Sequence, residues 1–379
     1  MAASQVGREM LREGIRDFLL TESPPDLVRR QDEGKSPPLE LLRQLGSLGY
    51  LGVGMPEKWG GSGDMVDVTI MMEELGRYNQ GLAHLVGRTM YGLQLLVTVG
   101  TTEQQEMWIP RLLSGECVLA IGMTEPNAGS DAAAIQTRAV LEGDAWRVNG
   151  TKVFTSSAAY ADVVLLAART GSTSERHSGV TTFLADARSE GIQTSLIDTI
   201  GYWSVGVYEV RWTDVLVPVK SVLGDVGDGW RVLRGHLVRE RLTIAARAVG
   251  AMTEILELAV KYAKEREQFG SAIASFQAVQ HKLADIRIDL QIARSALYNL
   301  ADQVVAGQAD PTDAAVVKTF ASEAWVRCAD RGMQIFGGYG YTYEFPIQRH
   351  FRDSRVALVG GGTSEIMRNM IARRLIRSA

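Results

Sequence analysis

The chain has 379 residues, of which 46% are hydrophobic and 22% are charged, and its formal net charge at pH 7 is -4. This length is enough for two or three compact units, and the near-neutral charge excludes a broad basic field that would attract nucleic acid or anionic membranes. No apolar stretch approaches the ~18 residues that suggest a membrane span. We therefore expect a protein that acts on small molecules, with neither nucleic acid nor membrane as a partner.

The N-terminal segment is predicted to form an amphipathic helix. It carries Glu9, Glu13 and Asp17, and it lacks the apolar core of a secretory signal and the acid-poor character of a transit peptide. We therefore expect a cytoplasmic protein. Cys117 and Cys328 are the two cysteines of the chain, too few for a disulfide framework or a metal cluster. We expect no metal site and two buried, inert thiols.

Helical periodicity dominates the first third of the chain. From Gln5 to about Cys117, apolar residues recur three and four positions apart, for example over 39–48 and 66–78, and Gly-rich turns separate the segments. Residues 1–117 are therefore predicted to form an all-helical first domain.

The period changes in the middle of the chain. Two turn dipeptides, Gly143-Asp144 and Asn149-Gly150, separate short alternating runs, and both indicate hairpins. Further strands are predicted at 163–168, 180–185 and 208–212. Residues 118–226 are therefore predicted to form a β-barrel-like or sandwich domain.

The helical period returns after Gly229. Three long segments, 230–265, 275–305 and 311–336, are typical of a bundle of antiparallel helices. Residues 227–379 are predicted to form a four-helix bundle. The predicted fold class is therefore α+β, with a helical domain, a β-domain and a helical bundle in chain order.

Three stretches far apart in the chain carry specific motifs: MTEPNAGSD at 123–131, REQFG at 266–270 and QIFGGYG at 334–340. Together with the glycine spacing of 45–77, they resemble the acyl-CoA dehydrogenase family over nearly the full length, with the pattern of its isovaleryl and long-chain subgroup. The resemblance implies that family's fold, FAD as cofactor, and α,β-dehydrogenation of an acyl-CoA or acyl-carrier-protein thioester. It also implies an electron-transfer flavoprotein as the electron acceptor.

The first motif is an ordinary polar turn when taken alone, because Gly, Ser and Asp are common turn residues. Its hydroxyls and backbone N–H groups are also donors suited to a flavin and its pyrophosphate. The resemblance implies the second interpretation and adds a strand end in which Ser156 bonds flavin N5. The residues that it assigns to the cofactor here are Met123, Thr124, Gly129, Ser130, Phe154, Thr155 and Ser156.

A second set lies on either side of Gly270. Arg266 and Gln277 are a cation and an amide that suit a phosphate and adenine clamp, although a solvated Arg and a capping Gln are the plainer interpretation. The resemblance implies that the set binds the FAD of a neighbouring subunit, which requires a homo-oligomer, a dimer of dimers. Its members are Arg266, Phe269, Gln277, Gln334, Gly337 and Gly338, and the resemblance also assigns Thr363 to the cofactor.

Dehydrogenation of a thioester needs a carboxylate for the α-proton and a hydride acceptor at the β-carbon. Much of the family places this carboxylate in a C-terminal Tyr-Glu-Gly-Thr segment, and the matching position here is Gly361. The segment that begins at Glu240 resembles the subgroup in which the long helix supplies the base. The resemblance therefore implies Glu240 as the base, with Gly361 and Arg241 at the substrate.

Helical spacing gives separate support. Leu233, Leu237, Glu240 and Ile244 follow one another at steps of four, three and four residues, so that Glu240 lies on an apolar stripe. The plainer interpretation is a buried Glu paired with Arg247 or Arg355. Glu365 opens a predicted helix, where an acidic residue is ordinary, and we expect it to be structural or adenosine-side.

Other functions stay open at this stage. A flavin monooxygenase or oxidase, or a scaffold subunit, has no use for the thioester base that Glu240 supplies. An enoyl-thioester reductase uses the same residues in reverse. The segment 201–208 is aromatic and apolar where the family often carries Arg and Thr, so contacts with the thioester carrier are not assigned.

Overall fold

The computed structural model describes residues 3–172 and 178–378. Six helices precede the sheet, and the predicted segments 39–48 and 66–78 are confirmed as the third and fourth. An Asp64 capping box starts the fourth, because Asp64 accepts a bond from the Val66 N–H while Asp67 accepts one from the Asp64 N–H. The six are α1 (Ala3–Glu22), α2 (Pro25–Glu33), α3 (Leu39–Ser47), α4 (Met65–Tyr78), α5 (Gln80–Val99) and α6 (Thr102–Leu113).

Seven strands form one sheet in the order β1-β4-β2-β3-β7-β6, with β5 paired to β4. The predicted strands at 163–168, 180–185 and 208–212 are confirmed as β4, β5 and part of β7. The strands are β1 (Leu119–Gly122), β2 (Arg138–Glu142), β3 (Ala145–Ser156), β4 (Val163–Arg169), β5 (Val180–Asp186), β6 (Ile192–Leu196) and β7 (Val207–Pro218).

One of the two predicted hairpin turns is wrong. The Gly143-Asp144 turn joins β2 to β3, but Asn149 and Gly150 lie inside β3, where the pairing with β7 shifts register. The Asn149 side chain bonds Asp214 on β7, with Asn149 Nδ2 3.0 Å from Asp214 Oδ1 and the Asp214 N–H 2.9 Å from Asn149 Oδ1. The dipeptide therefore serves a β-bulge, a position that also favours glycine.

The helices after the sheet include one break that the sequence did not indicate. Residues 230–265 were predicted as one helix, but the chain forms two helices that meet at His236, whose φ and ψ of -109° and 1° are not helical. The helices are α7 (Gly229–Gly235), α8 (Leu237–Glu265), α9 (Gln277–Val305), α10 (Pro311–Phe336), α11 (Ile347–Ala357) and α12 (Ser364–Ser378).

The two helical regions share one hydrophobic core. It joins Leu42 and Leu75 of the first region to Val249, Ala293 and Trp325 of the last. The predicted order of helical, β and helical regions is confirmed, while the domain boundaries stay a prediction, because burial is continuous between the first and last regions. Within the described residues, no helix is long and apolar enough to cross a membrane.

Both cysteines are buried, as predicted. Burial raises the pKa of the Cys117 thiol and of the Cys328 thiol to about 12. Since the thiolate is the reactive form, neither side chain is a nucleophile at neutral pH.

Candidate functional site

The first motif lies in the loop that follows β1, and hydrogen bonds tie it to the end of β3. The Val153 N–H donates to Thr124 O at 2.8 Å, and Lys152 Nζ donates to Met123 O at 3.1 Å. The structure therefore brings together Met123 and Thr124 with the strand that carries Phe154, Thr155 and Ser156. Gly129 and Ser130 are exposed farther along the same loop.

A buried ion pair fixes this loop, and the sequence analysis missed it. Lys152 Nζ lies 2.7 Å from Glu125 Oε1, and the two Glu125 carboxylate oxygens also accept bonds from the backbone N–H groups of Gln136 and Thr137. Burial lowers the pKa of Lys152 to about 8 against the opposing effect of Glu125. The available signal was the inward position of Lys152, in alternation with Trp146 and Val148 on β3.

The end of β3 carries a strained aromatic residue. Phe154 has a φ of 56° where the pairing with β7 shifts register again, and the residue is 64% exposed. A bulky residue in the left-handed region is uncommon and marks functional sites. Next to it, Thr155 is buried and its hydroxyl has no hydrogen-bond partner among the described residues. An exposed ring face and an unpaired hydroxyl fit a planar, polar cofactor such as a flavin.

The second set of predicted residues lies at the far end of α8. A hairpin of β8 (Glu267–Gln268) and β9 (Ser271–Ala272) turns at Phe269 and Gly270, whose φ angles are 53° and 78°. Phe269 stands at the tip of this hairpin and is 96% exposed. Gln277 opens α9 and Gln334 lies near the end of α10, both exposed.

An open cavity of about 500 Å³ lies beside this hairpin and brings Arg266 together with Gly337 and Gly338. The Arg266 guanidinium stands 5.6 Å from the centre of the Tyr339 ring. Cation, glycine backbone and exposed aromatic rings suit a phosphate and a base. Phe269 and Gln277 are both exposed within one chain.

Glu240 lies in the first turn of α8, and its side chain is 15% exposed. Its partner is neither Arg247 nor Arg355, as the plainer interpretation expected. Arg88 of α5 donates from Nη1 to Glu240 Oε1 at 3.1 Å. Arg247 instead bonds the Tyr202 hydroxyl, and Arg355 is exposed. The sequence carried a signal for Arg88, since it is the single fully charged residue of the apolar segment 80–99.

The apolar stripe through Glu240 differs from the prediction. Leu233 belongs to α7, beyond the break at His236, and Leu237 and Ile244 are half-buried while Leu242 is fully buried. The stripe therefore lies at the junction of α5 and α8, where the Arg88–Glu240 pair is only part-buried. Both side chains keep some solvent exposure, 28% for Arg88 and 15% for Glu240.

The Gly361 loop lies against the same end of α8. Arg241 Nε donates to Gly361 O at 3.5 Å, and a Cβ at Gly361 would stand 2.6 Å from Ile244 Cδ1. Lys318 of α10 donates to Gly362 O at 2.7 Å. The φ angles of 64° at Gly361 and 96° at Gly362 are left-handed, which suits glycine.

Burial shapes the charged groups around this loop. Burial lowers the pKa of Arg241 and lowers that of Lys318 to about 8, and Arg241 adds to the effect on Lys318 while Glu240 opposes it. Thr363 accepts the Ile366 N–H at 3.2 Å, and Glu365 lies in the first turn of α12, as expected for a helix start. Lys318 is a further residue that the sequence analysis missed.

Comparison with known proteins finds similar proteins over nearly the whole chain. Three family models match in chain order: "Acyl-CoA dehydrogenase, N-terminal domain" over 7–116, its middle domain over 120–215 and its C-terminal domain over 227–376. The protein named "Probable acyl-CoA dehydrogenase YngJ" of Bacillus subtilis is 35% identical, with 98% of each chain covered. The subunit CarC of the caffeyl-CoA reductase-Etf complex of Acetobacterium woodii is 33% identical over 97% of this chain and 98% of its own. The structure of butyryl-CoA dehydrogenase from Megasphaera elsdenii superposes with a TM-score of 0.92 at 32% identity, over 97% of this chain and 98% of that one.

Proposed function

The chain belongs to the acyl-CoA dehydrogenase family of FAD-dependent oxidoreductases, and from this premise we propose that it dehydrogenates an acyl thioester with Glu240 as the base. One observation carries the proposal. A half-buried carboxylate stands at the α5–α8 junction, near the Gly361 loop that matches the position of the base in much of the family. We therefore assign the base of this chain to α8 instead.

Glu240 takes the α-proton of the substrate in this proposal. A base for a weak carbon acid must reach the substrate while water is held away from it, and the half-buried side chain meets both needs. The neighbouring phenol of Tyr91 stays neutral, because burial and the charge of Glu240 raise its pKa. Arg88 holds the carboxylate through its 3.1 Å bond before the substrate binds.

Arg241 and Lys318 keep the Gly361 loop in a fixed position across from Glu240. Both cations donate to carbonyl oxygens of that loop, so that the backbone of Gly361 contacts the substrate without an intervening side chain. A fixed backbone beside the reacting carbon favours the developing enolate charge because no reorganisation is needed during the reaction.

FAD, when bound, supplies the acceptor for the β-hydride. We assign its flavin end to Met123, Thr124 and the 154–156 strand end, where the unpaired Thr155 hydroxyl and the exposed Phe154 ring support the assignment. Gly129 and Ser130 are assigned to the pyrophosphate, with Thr363 as a further contact. We assign the adenosine end to Arg266, Phe269, Gln277, Gln334, Gly337 and Gly338 of a neighbouring copy.

This assignment has two consequences for organisation. The protein is a homo-oligomer, and a dimer of dimers lets each adenosine site use a neighbour's hairpin. We propose three domains, residues 1–117, 118–226 and 227–379, of which the first and last share a core. The electron acceptor is an electron-transfer flavoprotein, as the name of the CarC complex suggests for that relative.

The reverse reaction is a second candidate, because CarC is named as a reductase subunit and the same residues serve both directions. Because the thioester donor is either CoA or an acyl carrier protein, the test includes thioesters of both.

The test is anaerobic mixing of the FAD-loaded protein with a panel of acyl-CoA and acyl-carrier-protein thioesters. We expect loss of oxidised flavin absorbance with at least one saturated thioester. If none reduces the flavin, and no enoyl thioester reoxidises the reduced protein, the proposal is wrong.

A further inference from the structure

A cluster of polar groups lies beside Glu240 at the α5–α8 junction, and the proposed reaction uses only one of them, Arg88. We call Arg88, His84, Arg247 and Tyr202 the junction cluster. His84 and Arg88 lie one turn apart on α5, and Arg247 lies two turns after Glu240 on α8. Arg247 Nη2 donates to the Tyr202 hydroxyl at 2.7 Å, and Arg247 Nη1 lies 3.4 Å from His84 Nδ1. The His84 and Tyr202 rings meet edge to face at 5.3 Å.

Positive charge exceeds negative charge around this cluster. Arg88 and Arg247 are cationic, whereas His84 is neutral because burial, Arg88 and Arg247 lower its pKa well below its usual value. Glu240 is the carboxylate bonded to Arg88. Asp353 accepts the Tyr202 N–H at 2.7 Å from the far side, where two carboxylates, Asp353 and Asp32, face two cations, Arg349 and Arg352. Arg88, Arg247 and Glu240 together therefore carry one positive charge in excess.

Two buried nitrogen atoms of the cluster are unpaired. Arg247 Nε and His84 Nε2 have no hydrogen-bond partner within the part of the chain that the structure describes. Buried polar atoms in native proteins are normally paired, with protein, water or ligand. Arg88 remains 28% exposed while the other three members are buried, so that its guanidinium is the part of the cluster that solvent or a ligand reaches.

We propose that the acyl group of the substrate carries a carboxylate at its far end and that Arg88 binds this carboxylate. The guanidinium offers a planar fork of donors that matches a carboxylate, and Arg247 adds positive charge behind it. This inference rests on the proposed function, since it names the substrate class of the site at Glu240.

The Arg88–Glu240 pair gives the proposal a mechanism of selection. With an uncharged acyl chain, Arg88 either stays bonded to Glu240 or loses that bond without gaining another partner. The second outcome is costly, because an unpaired cation is then desolvated by the substrate. A substrate carboxylate replaces Glu240 as the partner of Arg88, which frees Glu240 for the α-proton. Because Arg88 contacts Glu240 directly, the carboxylate lies within a few carbon atoms of the α-carbon. Short dicarboxylic acyl groups fit this requirement.

The test compares thioesters of equal chain length that differ in the far carboxylate: glutaryl-CoA against pentanoyl-CoA, and succinyl-CoA against butyryl-CoA. Flavin reduction is followed anaerobically in the FAD-loaded wild type, Arg88→Met and Arg88→Lys. We expect the wild type to prefer the dicarboxylic member by about 100-fold in rate over dissociation constant. Arg88→Met should lose about 100-fold with glutaryl-CoA and bring the pair within about threefold, the scale of one charge-assisted hydrogen-bonded contact. The preference of Arg88→Lys for glutaryl-CoA should lie between those of the wild type and Arg88→Met.

The matched control is Arg43→Met, an exposed arginine on α3 whose partner Glu40 is also exposed, and it should leave the preference unchanged. A wild-type preference for pentanoyl-CoA, or an equal loss with both thioesters in Arg88→Met, shows that Arg88 only orients Glu240 and overturns the inference. Calorimetric dissociation constants for the same pairs separate the two proposals. Binding without any flavin reduction contradicts the proposed function, whereas equal dissociation constants contradict the carboxylate inference alone.

Discussion

The Glu240 region and the Arg266 hairpin differ in how much of a site one chain supplies. Glu240 is half-buried, and its neighbours Arg88, Arg241, Lys318 and the Gly361 loop all come from the same chain. The hairpin instead ends in Phe269, which is exposed almost completely. The groups around Glu240 are held by packing within one chain, whereas the hairpin leaves Phe269 exposed to solvent. Changes at the first region should therefore affect chemistry, and changes at the second should affect cofactor retention and assembly.

The largest effect is expected for Glu240→Gln. This change keeps the shape and the bond to Arg88 but removes proton acceptance, so that flavin reduction by substrate should fall by at least about 100-fold while the thioester still binds. Stopped-flow absorbance measures the rate. The control is Glu257→Gln, which disturbs another Glu–Arg pair of the same helix. Glu257 accepts a bond from Arg77 at 2.6 Å and lies 17 residues after Glu240. A Glu240→Gln protein with wild-type reduction rate would move the assignment to Glu365 or to oxygen chemistry.

Arg266→Ala should weaken FAD binding by about tenfold to 100-fold, the scale of lost hydrogen bonds to a charged group, and the reduction rate of the remaining holo-protein should change little. Equilibrium dialysis gives the affinity, and light scattering of the same samples gives the oligomeric state. Arg43→Ala is the surface control. Undiminished FAD affinity in Arg266→Ala would contradict the role of the hairpin and, with it, the sharing of the cofactor between copies.

Ser156→Ala tests the flavin end of the site. Loss of one hydrogen bond to the flavin N5 should lower the reduction rate by about tenfold, which corresponds to ~1.4 kcal/mol. Ser195→Ala on the exposed strand β6 is the control. A single-turnover rate equal to that of the wild type places Ser156 away from N5.

The effect expected for Lys318 is on the pH dependence of protein stability rather than on the reaction rate. Its folded-state pKa of about 8 lies below the ordinary 10.5, so that the unfolded chain binds more protons between these values. The free energy of unfolding should therefore rise with pH across this window, by up to ~1.4 kcal/mol per pH unit. Lys318→Met should remove that slope, which urea unfolding at several pH values measures, whereas Lys261→Met on the surface of α8 should keep it. An unchanged slope in Lys318→Met would show that Lys318 titrates as an exposed lysine does.

The sequence predicted long elements well and irregular ones poorly. The segment 311–336 matches α10 at both ends, because Pro311 opens the helix and Gly337 closes it. The strand β6 was missed since four of its five residues are exposed and carry no alternation. The Asn149-Gly150 dipeptide predicts a hairpin turn but lies in a β-bulge, because the same residue types favour turns and bulges. These differences depend on strand pairing, which local patterns do not contain.

For the candidate site, resemblance identified groups of residues but not their partners. Glu240 and the Gly361 loop were named together, and the structure places them on adjoining elements. Arg88 and Lys318 were missed, since each belongs to a helix far away in the chain and reaches the site only after packing. The break at His236 was also missed, because the apolar period continues across it.

The shared core of the two helical regions constrains how this protein is made. Helix α4 packs against α8, and the core that holds Leu75 is closed by Val249 and Trp325, which leave the ribosome after the whole sheet has been synthesised. The first helices therefore expose apolar surface for most of translation, a time of some tens of seconds at ~5–20 residues per second. Truncation of the chain before α10 should therefore yield an aggregating product rather than a soluble fragment.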